Sequence, residues 1–337
     1  MIIIRPIQAS DYNALHRMAI ESGHGFTSLP VNEALLKKRI AHSEQSFKTS
    51  VTQPGNEGYL FVMEDTATGE VVGTSGIEAA VGLDAPFNHY HLGKIVHSSR
   101  KLNIYNAVET LTLCNDLTSS TEICTLFLKN SHRANRNGRF LSRFRFLFIA
   151  EHTERFADKI IAEMRGVSDE HGNSPFWAWL QEHFFSIDFP TADYLTGIGD
   201  KEFIAELMPK HPIYVNLLSK EAQQAINQVH SNTAPALRLL EAEGFERSGY
   251  VDIFDAGPTV QSLKHHIETI KNSQRLKVII DDIEESADTF ILCNDKLSDF
   301  RAVQANVLIA DNTVKINTET AKALLVQSGN FIRIITN

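Results

Sequence analysis

Thr125-Leu-Phe-Leu-Lys-Asn-Ser-His-Arg133-Ala-Asn-Arg136-Asn-Gly138-Arg-Phe-Leu-Ser-Arg-Phe-Arg145 is the stretch that says most about this chain. It reads as the end of a strand, a polar loop holding one glycine, and a long helix from Gly138 to about Phe156. The first amides of a helix have no intrahelical partner and the helix dipole adds partial positive charge, so the segment reads as an anion site. Arg133, Arg136, Arg139, Arg143 and Arg145 are expected to surround those amides, in a chain of formal net charge −9. A solvated basic helix face is the plain alternative. Cation concentrated at a helix start in an otherwise acidic protein favours the anion site. Neither GxxxxGK[ST] nor a strand followed by GxGxxG occurs, so a nucleotide-hydrolase loop and a dinucleotide fingerprint are both set aside.

Upstream, Met1–Pro6 reads as a short apolar strand and Asp11–Ser22 as a helix with Leu15, Met18 and Ala19 at helical spacing. Tyr59–Glu64 and Val71–Ala79 read as a hairpin turning through Asp65–Gly69; Ile95–Val96, Leu111–Leu113 and Glu122–Leu128 read as further strands. Downstream, Lys159–Met164 reads as a strand and Ser174–His183 as a helix with Pro175 in its first turn. Glu202–Met208 shares Ile-Ala-Glu with Lys159–Met164 and reads as a second such strand, and Thr233–Phe245 is similar to the Ser174 helix, a hint of duplication. Past about Leu263 short apolar runs (Leu276–Ile280, Phe290–Cys293, Arg301–Ile309, Phe331–Ile335) alternate with polar turns and one helix capped by Thr318, which predicts a small β-rich domain. His265–Arg275 reads as the linker to it.

With 337 residues, 43% hydrophobic and 22% charged, the chain suits a globular protein of two or three domains. Its acidic balance argues against a nucleic-acid surface, which needs excess Lys and Arg. Cys114, Cys124 and Cys293 are widely spaced and form no CxxC, so neither a disulfide framework nor a metal site is expected, and Cys124 reads as a buried, inert thiol. The start of the chain shows no signal-peptide pattern and no apolar run approaches the ~20 residues that span a bilayer, so a cytoplasmic location without a membrane partner is expected.

The turn at Arg133-x-x-Arg136-x-Gly138 resembles the pyrophosphate-binding turn of the GNAT superfamily of acyl-CoA transferases, Arg/Gln-x-x-Gly-x-Gly/Ala, with Arg136 at the middle glycine. Leu240-Glu241-Ala-Glu-Gly244-Phe245 is similar to the Tyr-Glu-x-x-Gly-Phe that often ends that superfamily's second helix. More closely, Leu29–Asn32, Ala162-Glu-Met-Arg-Gly-Val167, Asp169-Glu-His-Gly-Asn-Ser-Pro-Phe-Trp177, Glu206-Leu-Met-Pro-Lys-His-Pro-Ile-Tyr214 and Asp252-Ile-Phe-Asp-Ala-Gly-Pro258 resemble the arginine N-succinyltransferase family. The resemblance implies an α/β (α+β) fold of tandem GNAT-like portions, about 1–185 and 186–262, and a small C-terminal β-barrel domain at 263–337.

It also implies transfer of succinyl from succinyl-CoA to L-arginine, giving N2-succinyl-L-arginine and CoA, the first step of an arginine catabolic pathway. Succinyl-CoA is then a co-substrate, with no permanently bound cofactor and no metal, and a homodimer is expected. By the same resemblance His230 is the proton donor and Leu126 a succinyl-CoA contact. Leu128, Arg133, Arg136, Asn137, Gly138 and Arg139 make up the rest of the expected donor site. Glu122 is a candidate base or anchor, and Glu163 and Glu206 could hold a guanidinium bidentately, ordinary ion pairs being the plain alternative. Another acyl donor, another amine such as ornithine, and a CoA-binding regulator without turnover are the competing readings.

Overall fold

In the computed structural model, which describes residues 1–23, 28–199, 202–283 and 289–337, β1 (Ile2–Pro6) leads into α1 (Tyr12–Ser22) and α2 (Glu33–Ser46). Two hairpins follow, β2 (Gly58–Asp65) with β3 (Glu70–Glu78) and β4 (His89–Ser99) with β5 (Ile104–Cys114). Next come β6 (Thr121–Leu128), α3 (Asn137–Glu151) and β7 (Lys159–Glu163). A helical section holds α4 (Pro175–Leu180), α5 (Phe189–Gly197), α6 (Glu202–Leu207), the short β8 (Ile213–Tyr214), α7 (Lys220–Ala225) and α8 (Ala234–Ala242). β9 (Glu246–Val251), β10 (Pro258–Leu263) and α9 (Glu268–Asn272) precede β11 (Gln274–Ile280), β12 (Thr289–Asn294), β13 (Ala302–Asn306), β14 (Leu308–Ala310) and β15 (Thr313–Ile316); α10 (Thr318–Leu324) and β16 (Phe331–Thr336) end the fold.

The described strands form one mixed sheet in the order β14-β15-β11-β16-β12-β13-β1-β2-β3-β6-β7-β10-β9-β4-β5-β8. The expected closed C-terminal barrel is therefore corrected to an open ladder: β14 is an edge, and β13 continues into β1 through Ile3↔Val303 and Ile4↔Ala302. No helix among the described residues is long and apolar enough to cross a membrane.

α3 is buried nearly all round: every residue from Phe140 to Ile149 is covered, two arginines included. Phe140, Phe144, Phe146 and Phe148 are wholly buried, and Phe61 meets Phe144 and Phe148 edge-on at 4.9 and 5.0 Å. Arg143 sits inside this packing rather than at the anion turn. Its Nε donates to Glu243 Oε1 at 2.7 Å and to Thr269 Oγ1 at 3.0 Å, and its Nη1 to the Thr336 carbonyl at 2.6 Å, so α3 is tied to the end of α8, to α9 and to β16.

That lock also revises the linker expected at His265–Arg275. Ile267 and Thr269 are fully buried, and the Thr269 amide donates to Glu243 Oε2 at 2.7 Å, so the segment is a packed helical connection. Residues Glu202–Leu207 form a helix, not the expected strand, because Ile204 and Met208 lie four apart and bury the same face. The hint of duplication loses that leg. The cap of α10 is Asn317, whose side chain accepts from the Thr320 amide at 2.8 Å, not Thr318.

Candidate active site

β6 and β7 run parallel but pair only at Thr121↔Ile160 and Glu122↔Ile161. Beyond that point they diverge, β7 staying with β10 and β6 with β3. The cause lies in β6 itself. Its register against β3 shifts between Thr74 and Gly76, and Thr125 takes φ +55, a left-handed conformation rare for a β-branched residue. Strain of about 1–3 kcal/mol is held there by the buried neighbours. The bulge bends β6 away from β7 and opens a cleft of about 310 Å3, walled by Ile123–Phe127 on one side and Ala162–Arg165 on the other. Leu126 lines it; Leu128 is buried in the core, and its carbonyl accepts from Arg133 Nε at 3.1 Å, aiming that guanidinium at the cleft mouth.

The turn keeps the backbone shape of the motif despite losing its glycine. Asn135 and Arg136 take φ +51 and +60, so Arg136 adopts the left-handed conformation that glycine reaches without steric cost. Asn137 opens α3 with its side chain bonded to the His132 carbonyl at 3.1 Å. The amides of Gly138 and Arg139 have no hydrogen-bond acceptor among the described residues. Burial, then Arg143 and Arg136, push the Arg139 pKa down, against a smaller opposing effect of Glu243. Arg145 is turned inward and lines the cleft further in, so two of the five arginines expected around the amides lie elsewhere.

A second cavity of about 270 Å3 adjoins the first and shares Ser28, Glu122, Cys124, Glu163, Asp252 and Phe254 with it. Three carboxyl groups therefore stand on the common wall. Buried His89 places its Nε2 2.8 Å from Glu163 Oε1, in a contact without hydrogen-bond geometry. Asp252 belongs to a loop pressed onto the end of β7 at Gly257, where an added Cβ would meet the Met164 carbonyl at 2.1 Å. Burial and the neighbouring Asp255 and Glu163 raise the Asp252 carboxyl well above the usual carboxylate range. Asp255 accepts from the Gly166 and Gly257 amides at 2.6 and 2.8 Å, and burial pushes it up to about 6. The Cys124 thiol is pushed up by burial and by Glu122 and Glu78, as suits an inert thiol.

His230 stands at the margin of the cleft, beside the lining residues Asn232, Thr233 and Arg165. Its Nδ1 accepts from the Asn232 amide at 3.2 Å, leaving the neutral ring's proton on Nε2, and its own amide donates to the Arg165 carbonyl at 2.9 Å. Partial burial and then Arg165 lower its pKa. Glu122, Leu126, Arg133 and Glu163 thus meet in the cleft, with His230 at its edge and Gly138 and Arg139 on the adjoining turn. Glu206 is exposed on α6 and lines neither cavity. Sequence reading missed Asp252 and Asp255; the signal was two acids inside an otherwise apolar run, Asp252-Ile-Phe-Asp255-Ala.

The profile described as arginine N-succinyltransferase beta subunit matches residues 2–269, and that of its C-terminal domain matches residues 274–336. An arginine N-succinyltransferase of Yersinia enterocolitica is 46% identical over 338 residues, covering 100% of this chain and 98% of that protein. The arginine N-succinyltransferase subunit beta of Pseudomonas aeruginosa is 47% identical over 334 residues, covering 99% of this chain and 98% of that protein. The solved structure of arginine/ornithine succinyltransferase subunit AI from Pseudomonas aeruginosa superposes with a TM-score of 0.92 at 37% identity, covering 100% of this chain and 98% of that one. From the strained strand to the last sheet ladder, this chain belongs to the arginine N-succinyltransferase family.

Proposed function

We propose that this protein transfers the succinyl group of succinyl-CoA to the α-amine of L-arginine, releasing N2-succinyl-L-arginine and CoA as the first step of arginine catabolism by the succinyltransferase pathway. The observation that carries this is the splay of β6 and β7, a cleft running from a cationic turn to a wall of carboxyl groups. An anionic donor and a cationic acceptor enter such a cleft from opposite ends.

Arg133, Arg136 and Arg139 and the free amides of Gly138 and Arg139 take the pyrophosphate. The pantetheine arm lies extended in the splay beside Leu126 and pairs with strand backbone as an added strand would. Glu122 and Glu163, beside the Asp252 carboxyl, draw in the cationic amino acid. The amine nitrogen attacks the thioester carbonyl, the C–N bond forms as the C–S bond breaks, and the amine's proton is lost as the thiolate gains one. His230, as the imidazolium, gives its Nε2 proton to the departing thiolate and is reprotonated by the proton that the attacking amine releases. Direct attack in a ternary complex makes catalysis largely a matter of positioning. Residues 1–185 supply the donor groove as a GNAT-like portion, 186–262 supply His230, α8 and Asp252, and 263–337 buttress α3. The enzyme works in the cytoplasm as a homodimer. The solved Pseudomonas relative is named for ornithine as well as arginine, which supports a second acceptor, a shorter diamino acid in the same carboxylate compartment.

Incubation with succinyl-CoA and L-arginine, following free thiol, tests the reaction. Mass spectrometry of the product will place the succinyl group on the α-amine, because a guanidinium of pKa above about 12 does not deprotonate near pH 7. Guanidinium-linked product would refute the acceptor geometry. For the donor site, Gly138→Asp has room for its Cβ, the nearest atom being Leu128 Cδ2 at 4.0 Å, and an acid in a first turn suits the helix dipole. The fold will hold while CoA affinity falls at least tenfold, about 1.4 kcal/mol, by calorimetry. Unchanged affinity would remove the pyrophosphate assignment.

A further inference from the structure

Arg143 and Arg145 are both buried in α3, at 7% and 2% exposure, and only Arg143 has an anionic partner. Arg145 Nε donates to the Ser142 carbonyl at 3.0 Å and Nη2 to Ser142 Oγ at 3.0 Å, both within its own helical turn. No carboxylate forms an ion pair with it among the described residues, and Nη1 has no hydrogen-bond partner there. Burial lowers its pKa to about 10, yet the group stays charged at neutral pH. An uncompensated interior cation is costly unless something supplies the missing charge. Its side chain lines the cleft, so a ligand in the cleft can supply that charge.

Its depth says which part of a ligand. Arg145 lies eight residues into α3, about 12 Å from the turn at the helical rise. Cys124 lies four residues back along β6 from Leu128, about 13 Å from the same turn at strand spacing. Both counts bring Arg145 and Cys124 to the same depth, and the two residues line the same cleft. The pyrophosphate turn is too distant for Arg145 to belong to it. Of the other cations that line the two cavities, Arg39 Nη2 holds Glu78 Oε1 at 3.2 Å, and Arg133 stands at the turn with Nε on the Leu128 carbonyl. Arg165, in the fields of Asp255 and Asp193, has Nη2 on Ser168 Oγ at 2.8 Å, while its buried Nε has no hydrogen-bond partner among the described residues.

We propose that Arg145 receives the terminal carboxylate of the succinyl group and thereby selects a dicarboxylic acyl-CoA over neutral acyl-CoAs of the same length. This rests on succinyl-CoA being the donor, as proposed above. A planar guanidinium held by Ser142 along one edge presents its other edge as a fork for a carboxylate. An acetyl or butyryl donor leaves that cation unpaired and gains nothing there.

The test compares succinyl-CoA with butyryl-CoA, which carries a methyl in place of the carboxylate, in the wild type, Arg145→Met and Arg145→Gln. The ratio of kcat/KM for succinyl-CoA to that for butyryl-CoA should fall at least about 100-fold in both variants, chiefly through the succinyl donor. The Kd of free CoA, which has no acyl carboxylate, should move less than threefold. An unchanged ratio, or free CoA losing as much affinity as succinyl-CoA, overturns the proposal. If neither donor turns over in the wild type, the functional reading fails separately. Calorimetric binding of succinyl-CoA against butyryl-CoA to the wild type then decides, and also decides if both variants fail to fold: tighter binding of the succinyl thioester supports the role of Arg145, and equal affinity refutes it.

Discussion

Replacing His230 by alanine will lower kcat about 10²–10⁴-fold, the usual contribution of a group that transfers a proton in the rate-limiting step, and leave the Kd of succinyl-CoA within a few-fold. The ring's Nδ1 accepts from the Asn232 amide, so Nε2 is the nitrogen that exchanges a proton with a reactant, and the Ser168 backbone is the ring's other polar neighbour. Partial burial and the Arg165 charge lower the pKa below the ordinary histidine value of about 6.5. The sign follows directly. A proton donor acts in its protonated form, so activity that depends on the ring is present below the lowered pKa and falls as pH rises through a value below about 6.5. His230→Gln keeps a hydrogen-bonding side chain and cannot titrate, so that alkaline limb should vanish from its kcat profile while the rate stays low. If glutamine restores most of the rate, His230 only positions substrate. If both variants lose succinyl-CoA binding or unfold, the residue is structural.

Glu243→Ala will destabilise the protein by about 3–5 kcal/mol, the typical result of removing one partner from a buried ion pair. Glu243 is 4% exposed, and its loss strands the Arg143 guanidinium and the Thr269 amide that its two oxygens satisfy. The urea midpoint should fall, while kcat and KM of the fraction still folded at 25 °C stay close to the wild type. A double variant, Arg143→Met with Glu243→Leu, should recover much of the loss, since a matched apolar pair carries no desolvation penalty. A loss below about 1 kcal/mol in Glu243→Ala would show that the lock does not hold α3.

What was legible followed local rules. The strand–turn–helix at Leu128–Asn137 was readable because charge, glycine and apolar periodicity all changed within a dozen residues, and the β2–β3 hairpin because a turn segment separated two apolar runs. What was not legible depended on tertiary placement. Arg139, Arg143 and Arg145 are alike in sequence, yet the first stays at the turn and the others point inward, because α3 has core on nearly every side and no polar face to show them. Glu202–Leu207 carries the same Ile-Ala-Glu as β7 and becomes a helix, since three shared residues do not set a period. The Thr125 bulge left no mark at all: a β-branched residue at positive φ contradicts its own propensity and is held by β3 and by Arg39 of α2. The site depends on that hidden feature.

The ladder between β1 and β13 has a consequence for how the chain is made. Ile3 finds its partner in Val303, so one edge of β1 has no neighbour until 300 further residues have been made. At about 5–20 residues per second, that wait is roughly 15–60 s. Through it, Ile2, Ile3 and Ile4 present an apolar edge of unpaired N–H and C=O groups, the kind of template on which neighbouring nascent chains stack. Biogenesis, more than the finished enzyme, therefore carries the aggregation risk. Substitutions that weaken β13 should show first as lost soluble yield during expression, well before they slow the purified protein.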